Sequence, residues 1–254
     1  MGHDKLRRFE ENKHFPCLLQ PAADEVLVRG GMGLQLKDHP LKGRWNETVF
    51  GAERPIILEL GCGKGEYTIA LAERHPECNC IGVDIKGARL WKGAKYATEQ
   101  GLPNAAFLRT RIEFISAFFA PGEVSEIWLT FSDPQPKSEN SRLSSPLFLE
   151  RYRRFLRDGG LVHLKTDSRF LHEYTFAVAE ANRFPVPART TDLYGGDRSG
   201  LRDELFTVRT FYEQMFLDQG IPITYMAFRL DHDGPYAYPD FDAKPQDYGQ
   251  GKEA

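Results

Sequence analysis

The stretch Ile56-Ile57-Leu58-Glu59-Leu60-Gly61-Cys62-Gly63-Lys64-Gly65-Glu66-Tyr67-Thr68 decides how this chain folds. Its first five residues form a short apolar run broken by one acid, which reads as a strand buried on both faces. Three glycines at alternate positions then allow a tight turn in backbone conformations that a Cβ disfavours, and a helix starts directly after them. Strand, glycine turn and helix open a unit of a parallel sheet.

From Pro55 to about Leu230 strand-like runs alternate with helix-like segments. The predicted strands are Ile56 to Leu60, Cys80 to Asp84, Ala106 to Thr110, Glu126 to Phe131, Leu161 to Thr166, Arg189 to Leu193 and Thr224 to Arg229, with helices between them. The expected fold is α/β, a Rossmann-like, seven-stranded, mostly parallel sheet flanked by helices, over residues 51–230. One helix has clear limits: Ser145 caps it, Pro146 fits its first turn and Gly159-Gly160 closes it. Phe148, Tyr152, Phe155 and Leu156 follow helical spacing and are expected to face the core. Residues 1–50, with Gly30-Gly31-Met32-Gly33 in the middle, read as an extension packing on that domain, and residues 231–254 as an acidic, loosely ordered tail. No internal repeat is visible.

A chain of 254 residues with 41% hydrophobic and 27% charged residues has the composition of a soluble globular protein. No apolar run approaches the roughly 20 residues that span a bilayer, and Met1-Gly2-His3-Asp4-Lys5-Leu6 suits neither export nor myristoylation. Cys17, Cys62, Cys78 and Cys80 form no disulfide framework, and Cys78-Asn79-Cys80 lacks a second ligand cluster. Reduced thiols, a cytoplasmic location and no metal site are therefore expected. The net charge of −3 argues mildly against a nucleic-acid partner. Its distribution argues the other way: Lys137 to Arg157 carries six basic residues against two acids, whereas Asp231 to Ala254 carries six acids against two lysines. For Arg151, Arg153, Arg154 and Arg157 a solvated helix face and a phosphate-facing patch are both open readings.

The glycine spacing sorts the ligand classes. A phosphate-binding loop needs Ser or Thr after its lysine, and here Gly65 follows Lys64. A dinucleotide site prefers Gly-x-Gly-x-x-Gly, and here the pattern is Gly-x-Gly-x-Gly with Glu59 two residues ahead of it. A carboxylate at the end of an apolar strand calls for a partner, such as the ammonium of a bound amino acid. Asp84 ends the second strand, where an acid can accept hydrogen bonds from ribose hydroxyls. Glycine loop, Glu59 and Asp84 together suit S-adenosylmethionine.

The run Phe131-Ser132-Asp133-Pro134-Gln135-Pro136-Lys137 sets an acid and a lysine on a loop stiffened by two prolines after a buried strand. Alone it reads as a strand-ending turn; beside a cofactor-type glycine loop it reads as a site.

With both motifs in hand, the chain resembles the bacterial tRNA (guanine-N7)-methyltransferases, commonly called TrmB. The resemblance runs from Leu58 to Gly65, through Gly82-Val83-Asp84 and Phe131 to Lys137, to His163-Leu164-Lys165-Thr166-Asp167 and Thr210-Phe211-Tyr212-Glu213. It implies a class I S-adenosylmethionine-dependent methyltransferase fold, S-adenosyl-L-methionine as cofactor, and tRNA as partner. The methyl acceptor it implies is N7 of the variable-loop guanine, guanine-46. It assigns Glu59, Gly61, Gly63, Asp84, Arg111 and Asp133 to the cofactor, with Asp133 also catalytic, and Lys137, Asp167, Thr210, Phe211, Tyr212 and Glu213 to the substrate. The family usually has Trp where this chain has Gln135, and the basic stretch after the loop is thinner here. No obligatory protein partner is implied, and a monomer or homodimer is expected. The alternatives are a methyltransferase of another RNA, a protein or a small molecule, and a non-catalytic RNA-binding protein.

Overall fold

The computed structural model describes residues 2–31 and 33–248. The chain packs as two compact units, Met1–Ser125 with Arg154–Arg157, and Glu126–Arg153 with Asp158–Ala254. The division falls inside the expected domain of residues 51–230, at the start of its fourth strand. Of the sequence features noted above, Met32 and residues 249–254 of the acidic tail lie outside the described residues.

The first unit opens with helix α1 (Gly2–Glu11), strand β1 (Leu18–Leu19), the short helix α2 (Ala23–Val26) and a hairpin of β2 (Leu27–Gly30) and β3 (Gly33–Leu36). It continues through β4 (Ile56–Leu60), α3 (Glu66–Arg74), β5 (Asn79–Asp84), α4 (Gly87–Gln100) and β6 (Ala105–Arg109). The sheet order is β1-β6-β5-β4, every pair parallel. All five β4 residues and all six of β5 are buried, which is what a strand covered on both faces requires. The residues expected to form an extension join this unit closely: β1 pairs with β6, and the fully buried Trp45 donates Nε1–H to Phe118 O at 2.8 Å and stacks on Phe119. Helix α4 ends at Gly101 in the left-handed conformation, φ 63°, with the Leu102 N–H returning to Ala97 O.

The second unit contains β7 (Val124–Thr130), α5 (Pro146–Tyr152), β8 (Leu156–Thr166), α6 (Arg169–Ala181), β9 (Ala188–Thr190), α7 (Glu204–Thr207), α8 (Phe211–Asp218) and β10 (Thr224–Leu230). The first two residues of β7 and of β8 group with the first unit. The order is β7-β8-β10-β9, with β10 antiparallel to both neighbours. With β1, the strands of this sheet type number four in each unit rather than seven in all; a two-residue strand is too short to show a period.

Two expectations are corrected. The helix after the proline loop ends at Tyr152, and the Gly159-Gly160 pair lies within β8, where Gly160 faces Leu230. Phe155 and Leu156 are buried as expected, but at the entry to a strand; a short helix and a strand start together mimic helical spacing. Ser145 holds the N-cap position without a side-chain cap bond. The tail is packed as far as Tyr248: Phe241 meets the rings of Phe170 and Tyr174, and Tyr236 stands edge-on to Phe184. Isolated aromatics anchor it without any periodicity.

The glycine turn is also a packing device. Gly65 has φ 74°, and a Cβ there would lie 2.4 Å from Phe107 Cε1, whereas one at Gly101 would meet nothing within 4 Å. Gly65→Ala is expected to lower stability by about 2–4 kcal/mol, from left-handed strain plus overpacking, and Gly101→Ala by about 1–2 kcal/mol. Urea titrations followed by tryptophan fluorescence measure both; equal losses would contradict this account.

Candidate functional site

In the first unit the sequence-predicted cofactor residues Glu59, Gly61, Gly63 and Asp84 meet at the carboxyl ends of β4 and β5, where Glu59 is in register with Gly82. The Gly61 and Cys62 N–H groups both donate to Val83 O, at 2.8 and 3.0 Å, and fold the chain back over β5. Gly63 N–H then donates to Asp84 Oδ2 at 3.0 Å, and Lys86 N–H to Oδ1 at 2.7 Å. The carboxylate is thus oriented by backbone on both oxygens. Glu59 is 2% exposed and accepts from the hydroxyl of Thr68, in the first turn of α3. Burial, reinforced by Glu59 and Asp84, pushes the Cys62 thiol well above its ordinary range, so it stays neutral between two acids. Gly82 makes room for this cluster: a Cβ would lie 2.6 Å from Thr68 Oγ1 and 2.9 Å from Cys62 Sγ. A Cβ at Gly63 would meet nothing within 4 Å, so the turn is open on that side. Arg111 stands apart from this cluster in its bonding. It is exposed, two residues past β6, and donates to Glu113 at 3.2 Å.

In the second unit the loop after β7 carries Asp133 and Lys137, both exposed. Asp133 Oδ1 accepts the Gln135 N–H at 3.0 Å, an Asx turn that fixes the carboxylate. Phe131 and Gln135 adopt positive φ, 50° and 44°, conformations costing of order 1–3 kcal/mol each for such side chains. Arg142 helps to hold that path. Its Nε and a terminal NH group donate to Gln135 O and Pro136 O, both at 3.3 Å, and its guanidinium lies 4.2 Å over the Tyr174 ring. Arg142 is buried, so it leaves the basic patch anticipated between Lys137 and Arg157. Arg153 likewise pairs with Glu150 at 2.6 Å.

Lys165, on β8, joins the second unit's segments. It is 0% exposed, its carbonyl accepts the Phe131 N–H at 2.8 Å, and its ammonium meets Glu213 at 2.8 Å and the carbonyls of Leu205 and Val208. Burial lowers its pKa, and Glu213 opposes that shift. Glu213, also 0% exposed, further accepts the Tyr194 hydroxyl at 2.6 Å. Thr210 caps α8 by accepting the Glu213 N–H at 3.2 Å. Between them Phe211 and Tyr212 are 57% and 40% exposed. Asp167 lies two residues beyond Lys165, and burial raises its carboxyl to about 6. The structure thereby joins the proline loop, the Asp167 strand end and the Thr210–Glu213 helix start. Sequence reasoning missed Lys165, Arg142 and Thr68. The signal for Lys165 was present: a lysine inside an apolar strand needs an acid.

Among the described residues no cluster of three or more His, Cys, Asp or Glu is placed to hold a metal ion, and no helix is long and apolar enough to cross a membrane.

A family profile described as "Putative methyltransferase" matches residues 53–223. The chain is 46% identical to the tRNA (guanine-N(7)-)-methyltransferase of Bacteroides thetaiotaomicron over 98% of this chain and 94% of that one. It is 50% identical to the protein of the same name from Porphyromonas gingivalis, over 82% and 85% of the two chains. Among solved structures it is similar to the 16S rRNA methyltransferase KamB, with TM-score 0.56 and 15% identity, covering 81% of this chain and 99% of that one. It is also similar to the antibiotic-resistance methyltransferase Kmr, with TM-score 0.52 and 17% identity, over 82% and 100%. The fold is that of the Rossmann-like class I methyltransferases, α/β with a mostly parallel sheet flanked by helices.

Lys165→Met strands the Glu213 charge in the interior and is expected to cost about 3–5 kcal/mol, whereas Lys165→Met with Glu213→Leu recovers most of that loss. Thermal unfolding of the two variants checks this; a double variant as unstable as the single one would contradict the pairing.

Proposed function

The chain belongs to the tRNA (guanine-N(7)-)-methyltransferase family, and on that premise we propose that it transfers a methyl group from S-adenosyl-L-methionine to N7 of a variable-loop guanine in tRNA. The observation that carries this reading is likeness along nearly the full length of both chains to a protein of that name. The donor set supports the cofactor. Asp84, already aimed by two backbone N–H groups, has acceptor capacity left for ribose hydroxyls. Glu59 is a buried carboxylate suited to an ammonium, and the open side of Gly63 admits close backbone approach. Gly61 shapes that turn, and Arg111, past the end of β6, is assigned to the cofactor by its position alone, where the resemblance leads one to expect Asp or Asn. When bound, the cofactor supplies an electrophilic methyl group on a sulfonium.

Guanine N7 carries an in-plane lone pair and needs no deprotonation, so the chain's task is positioning. Alignment of nucleophile and methyl can contribute on the order of 7–11 kcal/mol. Asp133, its Oδ1 fixed by Gln135, presents its other oxygen to N–H donors, which guanine and the cofactor's amino group both carry. Lys137 is an exposed cation for an RNA phosphate. Asp167 accepts from the purine's donor edge, while Phe211 and Tyr212 offer aromatic faces for base stacking from a helix start capped by Thr210. Glu213 is committed to Lys165 and Tyr194 and acts as a positioning residue, holding Thr210 to Tyr212 in place. A tRNA substrate supports a cytoplasmic location for the reaction.

Incubation with labelled cofactor and unmodified tRNA, followed by mapping of N7-methylguanine through chemical cleavage, is expected to show label at one variable-loop guanine. Label in another acceptor and none in tRNA overturns the proposal. Asp133→Ala is expected to reduce transfer by about 100-fold or more with little change in tRNA affinity. Lys137→Ala is expected mainly to weaken tRNA binding, by about 3- to 10-fold. Equal losses of RNA affinity in the two variants would contradict these roles.

Asp167 gives the reaction a pH signature. Its carboxyl titrates near 6 rather than 3.8, so kcat/KM is expected to fall as pH drops through about 6, and Asp167→Asn to be slow and flat over that range. Because the folded-state pKa is raised, the unfolded chain loses its proton first, and stability declines as pH rises from about 4 to 6. Asp167→Asn is therefore expected to raise Tm at pH 7 and not at pH 4; an unchanged Tm difference across that range would refute the shift.

A further inference from the structure

A cavity of about 420 Å³ in the first unit is lined by Lys5, Phe9, Ile85, Lys86, Arg89 and Arg109 among its residues. Four of these are cations, and no acid lines the cavity. None of them belongs to the basic stretch that the sequence offered for RNA, and none has been given a role above. Their charge is available: among the described residues Lys5, Lys86 and Arg89 have no ion-pair partner, while the acids of α1 are engaged elsewhere, Asp4 and Glu11 with Arg7 and Glu10 with Lys13.

The cavity is built rather than incidental. Asn12, buried, donates Nδ2–H to Gly87 O at 2.9 Å, and Trp91 donates Nε1–H to Glu11 at 2.6 Å, so α1 is fastened to α4 and carries Lys5 and Phe9 with it. Arg109 donates Nε–H to Ile85 O at 3.3 Å and lays its guanidinium 5.3 Å from the Phe9 ring centre. Gly87 admits that packing: a Cβ there would lie 3.0 Å from the Phe9 ring and 3.2 Å from Arg109. The first turn of α4 has no acid, which leaves its positive dipole end uncompensated.

We propose that this cavity binds the phosphodiester backbone of the tRNA substrate, with Lys5, Lys86, Arg89 and Arg109 on phosphate oxygens and Phe9 beneath a sugar or base. The cofactor's sulfonium and ammonium are themselves cations and are repelled by such a lining, whereas a polyanion with flat bases matches both the charge and the ring. The inference rests on the tRNA reading given above, which the test separates from it.

The test measures the Kd of unmodified tRNA as a function of salt for the wild type and for the exposed-residue variant Lys5→Glu with Arg89→Glu. Affinity for S-adenosyl-L-methionine and label transfer to tRNA are measured alongside. Loss of two phosphate contacts is expected to raise the tRNA Kd about tenfold or more and to reduce the salt slope by about 1.5, with cofactor affinity unchanged. A wild type that labels tRNA beside a variant with the same tRNA Kd and slope overturns this site alone. A variant that loses cofactor affinity in proportion assigns the cavity to the cofactor and also overturns it. A wild type that neither binds nor labels tRNA overturns the substrate reading and this site with it.

Discussion

The ion pair between Lys165 and Glu213 fixes the arrangement of the segments that carry the second unit's predicted site residues. Both groups are fully buried, and replacing such a pair by apolar side chains is often near neutral in energy, so its role lies in registry more than in stability. The Lys165 backbone holds the start of the proline loop through Phe131, and its ammonium holds the helix that begins at Thr210. Two residues on, Asp167 ends the same strand. A shift of β8 by one residue would turn the ammonium to the other face and separate all three.

The first unit depends on a different constraint, the volume of one ring. Phe107 lies where Gly65, Gly82 and Gly93 have no side chain, and a Cβ on any of them would come within 3.0 Å of it. The ring thereby brings the glycine turn, β5 and α4 together at van der Waals distance. That close approach is what lets the Gly63 N–H reach Asp84 and leaves room for Cys62 and Thr68 beside Glu59. Packing and the geometry proposed for the cofactor rest on the same residues.

The parts of the chain most legible in its sequence were those where backbone or charge permits few residue types. Gly61, Gly63 and Gly65 all have positive φ, and Glu59 and Asp84 stand at strand ends where a carboxylate needs a reason. The backbone conformation of the glycines and the burial of the two acids were legible one residue at a time. The less legible parts depend on contacts distant in sequence. Arg142 looked like one more cation in a basic run, but Tyr174 and two carbonyls of the proline loop draw it inward. The tail looked loose because Tyr236 and Phe241 follow no period, yet each meets an aromatic ring more than fifty residues away. The helix after the proline loop was overextended because glycine signals both the end of a helix and a bend in a strand, and only the pairing of Gly160 with Leu230 separates the two.

Gln135 stands where the resemblance leads one to expect tryptophan, and the loop is built so that its main chain rather than its side chain is held. Its N–H is taken by Asp133 and its carbonyl by Arg142, while its φ of 44° is set by the turn. The loop therefore places its demands on the main chain of residue 135 and specifies little about its side chain. Form is held by neighbours that read only peptide groups, and within that rigid frame the positive φ disfavours β-branched residues while leaving the rest of the side chain unspecified. A lineage can vary what it presents between the two prolines without moving the acid on one side or the lysine on the other.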